Sequence, residues 1–356
     1  MNATLANPMA RPRIGFDVSP LHAPHPPGVV RATRGLVEAL ERRGALEVLR
    51  LAPEGELRSW RHSVLPKRAK GLALAGIHSP VSAFPRGGPG ARVQTVHELP
   101  WKHGVAENAD WKHRFWAAWG PMRADAVLCP SEFVAADLRR RVLPGANKIH
   151  VVPWGVGAPF GDLPAPGQVD EIVLGKLRLG QDPLALCVGA VREKKNLAAV
   201  LHGLAELRRR NGPRVQLVVI GAETPQLRRD LGTVAKLGLS RFVSTPGEVD
   251  DSDLASLMRL ASAVVVLSKS EGFAFPVLEG LASGAPVVVA SGTAQAELAG
   301  AAGIVVEAGD PSSVASGLER AVNEREALRF DALGRAATFT WDACAEKVEA
   351  LWAKLA

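Results

Sequence analysis

Residues 270–291 read SEGFAFPVLEGLASGAPVVVAS and follow ASAVVVLSK, residues 261–269. The apolar, β-branched run before them has the composition of a short strand buried on both faces of a parallel sheet. The chain leaves that strand near Ser268. Pro276 suits the first helical position, where its missing N–H costs nothing. Gly284 suits the position just past a helix end, so the spacing predicts a helix over about 276–283. APVVVAS then opens another buried strand. Strand, loop, helix and strand in this order form the repeating unit of a doubly wound α/β sheet.

The same stretch sets Glu271 in the loop and Glu279 on the helix. Helical side chains lean toward the N-terminus, so the Glu279 carboxylate approaches the helix mouth. The free N–H groups of residues 272–276 there make a cradle for an anion. Two acids beside such a cradle match a ligand with hydroxyls on both sides of a phosphate, as in a nucleotide diphosphate sugar. The alternative is ordinary: a glutamate near a helix start favoured by the macrodipole, and a loop glutamate solvated by water.

Outward from this stretch, the 356 residues suffice for two ordinary domains. With 47% hydrophobic and 22% charged residues the chain is globular. No apolar run reaches the ~18 residues a spanning helix needs, and MNATLANPMARPRIGF lacks the apolar core of a signal peptide. A cytoplasmic protein, at most peripheral at the inner face of a membrane, is expected. Cys129, Cys187 and Cys344 are far apart and sit in or beside apolar runs, so they read as reduced core residues. His22 and His25, the tightest histidine pair, lie among prolines without an acidic or Cys partner and give no metal site.

Charge is uneven. Residues 1–160 hold 22 Lys and Arg against 12 Asp and Glu, while the remainder holds 21 against 24. The first half therefore faces something acidic or a membrane surface, unless an Arg-rich composition is general to its source. Trp101, Trp111, Trp116 and Trp119 fall in or near one helical stretch of that half. Trp111 and Trp119, eight apart, are placed to share a face or to be core. No nucleic-acid motif, low-complexity segment or repeat stands out.

Two α/β halves follow from the pattern. The first runs through the strand RPRIGFDVS, the proline- and glycine-rich PLHAPHPPGVVR and the helix RATRGLVEALERRG. LEVLRLA, RVQTVHE, the helical NADWKHRFWAAWGPMRA, DAVLCPS and KIHVVPW come next. Residues 155–180 read as loop and linker. The second half restarts with LALCVGAV, the helix NLAAVLHGLAELRRRNG and the strand RVQLVVIGAE, and continues to AGIVVEAG. Domains are expected at 1–165 and 166–340, with a C-terminal helix at 341–356 that could pack back on the first. Ligands of such sheets sit at the carboxyl ends of the strands, where the Glu271 loop lies.

At this point the chain resembles the retaining glycosyltransferases of family 4, which have the GT-B architecture: two Rossmann-like doubly wound domains facing across a cleft. The most specific match is the E-x7-E element from Glu271 to Glu279. VGAVREKKNL looks like the family's basic segment, with Lys195-Asn196 at its Lys-Asn place. VHELPW looks like its His-Asp loop, PSEF like its Ser-Glu turn, and VVPWGV like the strand leading between the domains.

The resemblance implies a nucleotide diphosphate sugar as donor, retention of anomeric configuration, and a hydroxyl acceptor, lipid-linked or anionic. By it, Glu271 holds donor-sugar hydroxyls and Glu279 the ribose. Lys195, with Lys194 or Arg192, neutralises the leaving diphosphate, and His97 lies near the reacting anomeric carbon. Gly28 lets the first-domain backbone approach donor phosphate or acceptor, and Gly272, Phe273, Ala274 and Phe275 complete the donor loop. A positioned lysine and loop amides stabilise a departing diphosphate as a metal would. No DxD-like acidic pair occurs in a plausible metal loop, so no metal cofactor is expected. Three positions depart from the family pattern: Glu98 stands for Asp, Arg192 is displaced, and Ala274 replaces a frequent Gly. A sugar-nucleotide epimerase would need a further acid/base set in the cleft. A catalytically silent sugar-nucleotide or partner-binding relative would have no chemical reason to keep Glu271, Glu279 and Lys195 together.

Overall fold

The computed structural model describes residues 11–22, 24–55, 59–83, 85–107, 110–140, 147–161 and 168–356. The first ten residues, on which the reading of a leader rests, and the 165/166 domain boundary lie outside the described residues.

The first sheet holds β1 (Arg13–Asp17), β2 (Glu47–Leu51), β3 (Gly76–Ser79), β4 (Ala91–Thr95), β5 (Ala126–Cys129) and β6 (Ile149–Val151), in the spatial order β2-β1-β3-β4-β5-β6. Its helices are α1 (Pro27–Arg43), α2 (Leu65–Ala69), α3 (Trp111–Arg123) and α4 (Glu132–Arg139). All five strand pairs are parallel. β3 was not anticipated from GIHS: four residues with a Gly and a His carry no strand signature, yet all four are buried between β1 and β4.

After α5 (Gln168–Lys176) the second sheet is built from β7 (Leu184–Val188), β8 (Gln216–Ile220), β9 (Val243–Gly247), β10 (Ala263–Val266), β11 (Val287–Ala290) and β12 (Gly303–Val306). Its order is β12-β11-β10-β7-β8-β9, again parallel throughout. The helices are α6 (Leu197–Arg209), α7 (Pro225–Lys236), α8 (Asp251–Leu260), α9 (Phe275–Ala282), α10 (Ala294–Ala299), α11 (Pro311–Asn323), α12 (Arg325–Ala336) and α13 (Trp341–Leu355). α5 corrects the reading of residues 155–180 as loop and linker. It packs on α8, where Lys176 pairs with Asp253.

Parallel strands covered by helices on both faces explain the uninterrupted AVVV and VVVA runs, every residue of which is buried. One apolar cluster joins the halves: Ile14 and Phe16 of β1, Leu36 and Val37 of α1, Val264 of β10 and Val277 of α9. α13 lies against α1, with Arg42 on Asp342 at 2.6 Å and Arg43 on Glu349 at 2.9 Å. The C-terminal helix of the chain thus packs on the first half.

Candidate functional site across the two sheets

The carboxyl ends of the two sheets face each other. From the first come the loop after β4, with His97 and Glu98, and the N-terminus of α4. From the second come the loop after β7, with Arg192 to Asn196, and the loop after β10, with Glu271 to Ala274. They touch directly: Ser131 donates its hydroxyl to the Gly272 carbonyl at 2.7 Å while accepting from the Val134 N–H at the start of α4. Glu297 of α10 accepts from the Glu132 and Phe133 amides at 2.7 and 2.8 Å, so an acid of one half caps a helix of the other.

Between these contacts runs an alternating chain of charges. Lys195 Nζ lies 2.8 Å from Glu271 Oε1 as an ion pair, Lys194 Nζ lies 3.6 Å from Glu271 Oε2, and Lys194 also donates to Glu98 at 2.9 Å. Burial would push the Glu271 carboxyl up; Lys195 and then Lys194 overcome it and hold it below its ordinary 4.5. The stability this pairing supplies is fully present above that ordinary value and is lost as pH falls through the lower folded one. Burial opposes the charge on Lys194, but Glu271 and Glu98 outweigh it and raise its pKa. Arg192 is about half exposed and sits 3.7 Å from Glu107, whose other oxygen accepts from the Lys194 amide. Lys195 is thus the more accessible lysine, with 23% of its side chain exposed against 9% for Lys194.

Asn196 adopts the left-handed conformation, at φ 55°, which Asn tolerates, and donates to the Leu267 carbonyl at 3.2 Å. This ties the lysine loop to the end of β10.

α9 begins one residue before the predicted start. Ala274 takes its N-cap position at φ 65°, with no side-chain cap on the amides that follow. An L-residue there costs about 1–2 kcal/mol relative to glycine. Ala274→Gly is expected to raise the midpoint of thermal unfolding by a few degrees, read by differential scanning calorimetry; an unchanged or lower midpoint would show that the strain is not there. Gly272 is required by close approach: a Cβ on it would stand 1.7 Å from the His97 carbonyl oxygen. Phe273 and Phe275 pack edge to face at 5.4 Å. Gly28, in the first turn of α1, would carry a Cβ 3.6 Å from the Phe275 ring.

Glu279 is 2% exposed and meets Arg31 of α1, whose other Nη nitrogen reaches Asp251 at 2.9 and 3.0 Å. Arg31 also lies over the Phe275 ring at 5.9 Å. In PPGVVR the sequence signal falls on Gly28, whereas it is Arg31 that reaches Glu279 across the two halves. His97 places Nε2 2.7 Å from the Pro80 carbonyl, so Nε2 carries the hydrogen and Nδ1 the lone pair. Burial lowers its pKa against the raising influence of Pro80 and Glu98, leaving the ring neutral near pH 7.

The facing loops therefore gather Glu271, Gly272, Phe273, Ala274, Lys195 and Lys194 with His97, and Gly28, Phe275 and Glu279 beside Arg31. Arg192 stands at the margin, on Glu107. Glu98, Glu107, Arg31 and Ser131 were not singled out as site residues, because their partners are far away in sequence. Among the described residues, no group of three or more His, Cys, Asp or Glu side chains could hold a metal ion, and no helix is long and apolar enough to cross a membrane.

Residues 171–335 match the family model described as glycosyl transferases group 1. The chain is 36% identical over 190 residues to the D-inositol 3-phosphate glycosyltransferase of Frankia alni, covering 49% of this chain and 46% of that one. It is 28% identical over 238 residues to the MMP alpha-(1->4)-mannosyltransferase of Mycolicibacterium hassiacum, covering 64% and 54%. The chain thus spans about half the length of these curated relatives. Among solved structures, sucrose-phosphate synthase from Thermosynechococcus elongatus superposes with a TM-score of 0.75 at 21% identity, over 97% of this chain and 99% of that one. Anabaena HepE in complex with UDP and glucose superposes at 0.73 and 15% identity, over 96% and 100%. Two parallel six-stranded sheets with flanking helices, in these company folds, are the GT-B architecture.

Proposed function

We propose, for a chain that belongs through residues 171–335 to the glycosyl transferases group 1, that it moves a sugar from a nucleotide diphosphate sugar to an acceptor hydroxyl, with retention of anomeric configuration and without a metal. The observation that carries this reading is the pairing of Lys195 with Glu271 beside the uncapped first turn of α9. A lysine and a helix mouth stabilise the charge that develops on a departing diphosphate. Glu271, held ionised by the two lysines, accepts hydrogen bonds from donor-sugar hydroxyls. Glu279, at the Arg31 side, accepts from the ribose.

Retention is what the resemblance to the retaining glycosyltransferases of family 4 supports. A double displacement needs a carboxylate on the sugar face opposite the leaving group. Glu271 and Glu98 are both engaged with lysines. The route the resemblance favours, over inversion with His97 as general base, has the acceptor oxygen bond to the anomeric carbon from the leaving-group face as the bond to phosphate oxygen breaks. The acceptor proton passes to that phosphate oxygen. Such a step asks the protein for a phosphate clamp and a sugar clamp, which Lys195, the α9 amides and Glu271 provide. The acceptor, a lipid-linked or anionic hydroxyl compound, enters from the first-sheet side beside the neutral His97. A relative named for D-inositol 3-phosphate agrees with an anionic hydroxyl acceptor.

Thermal shift with UDP-, GDP-, ADP- and dTDP-sugars tests the reading. At least one is expected to raise the unfolding midpoint, and Glu279→Ala to weaken that donor, raising KM about tenfold with little change in kcat, because ribose contacts are alike in ground and transition states. No shift with any donor, or an unaltered KM, would contradict it.

A further inference from the structure

We infer that the outward face of α3 is a docking surface for an anionic lipid bilayer. Trp111, Phe115 and Met122 are 73%, 39% and 56% exposed. At 100° per residue they fall within about 40° of one another, with Ala118 between them, in a stripe roughly 16 Å long at 1.5 Å per residue. The opposite face is the packed one. Trp116, Ala117, Gly120 and Pro121 are buried, and a Cβ on Gly120 would stand 2.1 Å from Gln94 Nε2 of β4. The helix is therefore apolar on two sides, and the sheet covers only one.

Charge identifies the occupant. Lys112 and Arg123 flank the stripe on one side and Arg114 on the other, all three exposed. They lie over aromatic rings: Lys112 over Trp111 at 5.9 Å, Arg114 over Trp101 at 5.9 Å and Arg123 over Trp119 at 5.7 Å. Arg86, from a neighbouring loop, lies over Trp119 at 5.8 Å. The adjoining segment, joined through His62 stacked on Trp116 at 4.9 Å, adds exposed Lys67 and Lys70. Asp110, the acid at the helix start, is occupied capping the Lys112 and His113 amides and pairing with the His113 ring. An exposed apolar stripe between rows of cations is the signature of a helix lying in the headgroup layer of anionic lipids. The sequence grouping of four tryptophans is corrected here. Trp116 is buried and Trp101 and Trp119 are partly so; Trp111 alone of the four is exposed, and its companions are Phe115 and Met122.

The inference stands apart from the donor chemistry, and its test reads binding, not turnover. The full chain is sedimented with vesicles of phosphatidylglycerol and phosphatidylcholine, and with phosphatidylcholine alone, at low and high salt. Partitioning is expected to be about tenfold stronger on the anionic vesicles at low salt and to fall away at high salt. Trp111→Ser with Met122→Ser, both exposed, is expected to weaken it about tenfold or more, with circular dichroism unchanged. Lys112→Glu with Arg114→Glu should abolish the preference for anionic lipid. Failure of the unaltered chain to bind anionic vesicles at low salt would overturn the inference. So would equal binding by the Ser variant, or sedimentation velocity showing a dimer that the Ser variant dissolves, which would make the stripe a contact between copies.

Discussion

Lys195→Ala is expected to lower kcat for sugar transfer by about two to three orders of magnitude, the scale of losing a group aimed at developing transition-state charge. Lys194 cannot take over. It is held between Glu98 at 2.9 Å and Glu271 at 3.6 Å, with less than a tenth of its side chain exposed. Removing Lys195 also takes from Glu271 its nearer positive partner, so the sugar clamp and the phosphate clamp weaken together. If Lys195 acts on the departing diphosphate, kcat and kcat/KM fall by similar factors; a loss confined to KM would place it in ground-state binding only. Steady-state kinetics with saturating acceptor decides this, and unaltered kinetics would remove Lys195 from the chemistry.

Gly272→Ala is expected to reduce kcat/KM by about ten- to a hundredfold, because overpacking costs about 1–3 kcal/mol and each 1.36 kcal/mol is about a tenfold change in rate. The added methyl would meet the His97 carbonyl oxygen at 1.7 Å, and backbone cannot rotate away as a side chain can. Relief comes from parting the two halves, which breaks the Ser131 to Gly272 hydrogen bond and separates Lys194 from Glu98. Small-angle scattering is expected to record a larger radius of gyration with little change in circular dichroism. Ser131→Ala, which removes one hydrogen bond worth about 0.5–1.5 kcal/mol, should cost less. Full activity in Gly272→Ala would show that the approach of His97 to the donor loop is not needed for turnover.

Where sequence and structure agree, local chemistry decides the element. The strands AVVV and VVVA and the helix after Pro276 are dictated by β-branched runs and by proline and glycine punctuation. Where they part, the deciding influence is distant. GIHS becomes a strand because β1 and β4 enclose it. QVDEIVLGK becomes a helix beside α8, a neighbour about eighty residues on in the chain. Glu271, Glu279 and Lys195 could be singled out because one motif and one basic segment carry them. Their partners could not: Arg31 meets Glu279, and Glu98 meets Lys194, only once the two sheets face each other. The tryptophans make the same point on the surface, since spacing brings Trp111 and Trp119 near one face and only packing tells which is exposed.

The central claim is metal-free transfer with retention, and proton NMR of the fresh product in excess EDTA tests it most directly. An α-configured nucleotide sugar is expected to give an α-linked product at an undiminished rate. A β-anomeric coupling, or no product until Mg²⁺ or Mn²⁺ is restored, would contradict the account.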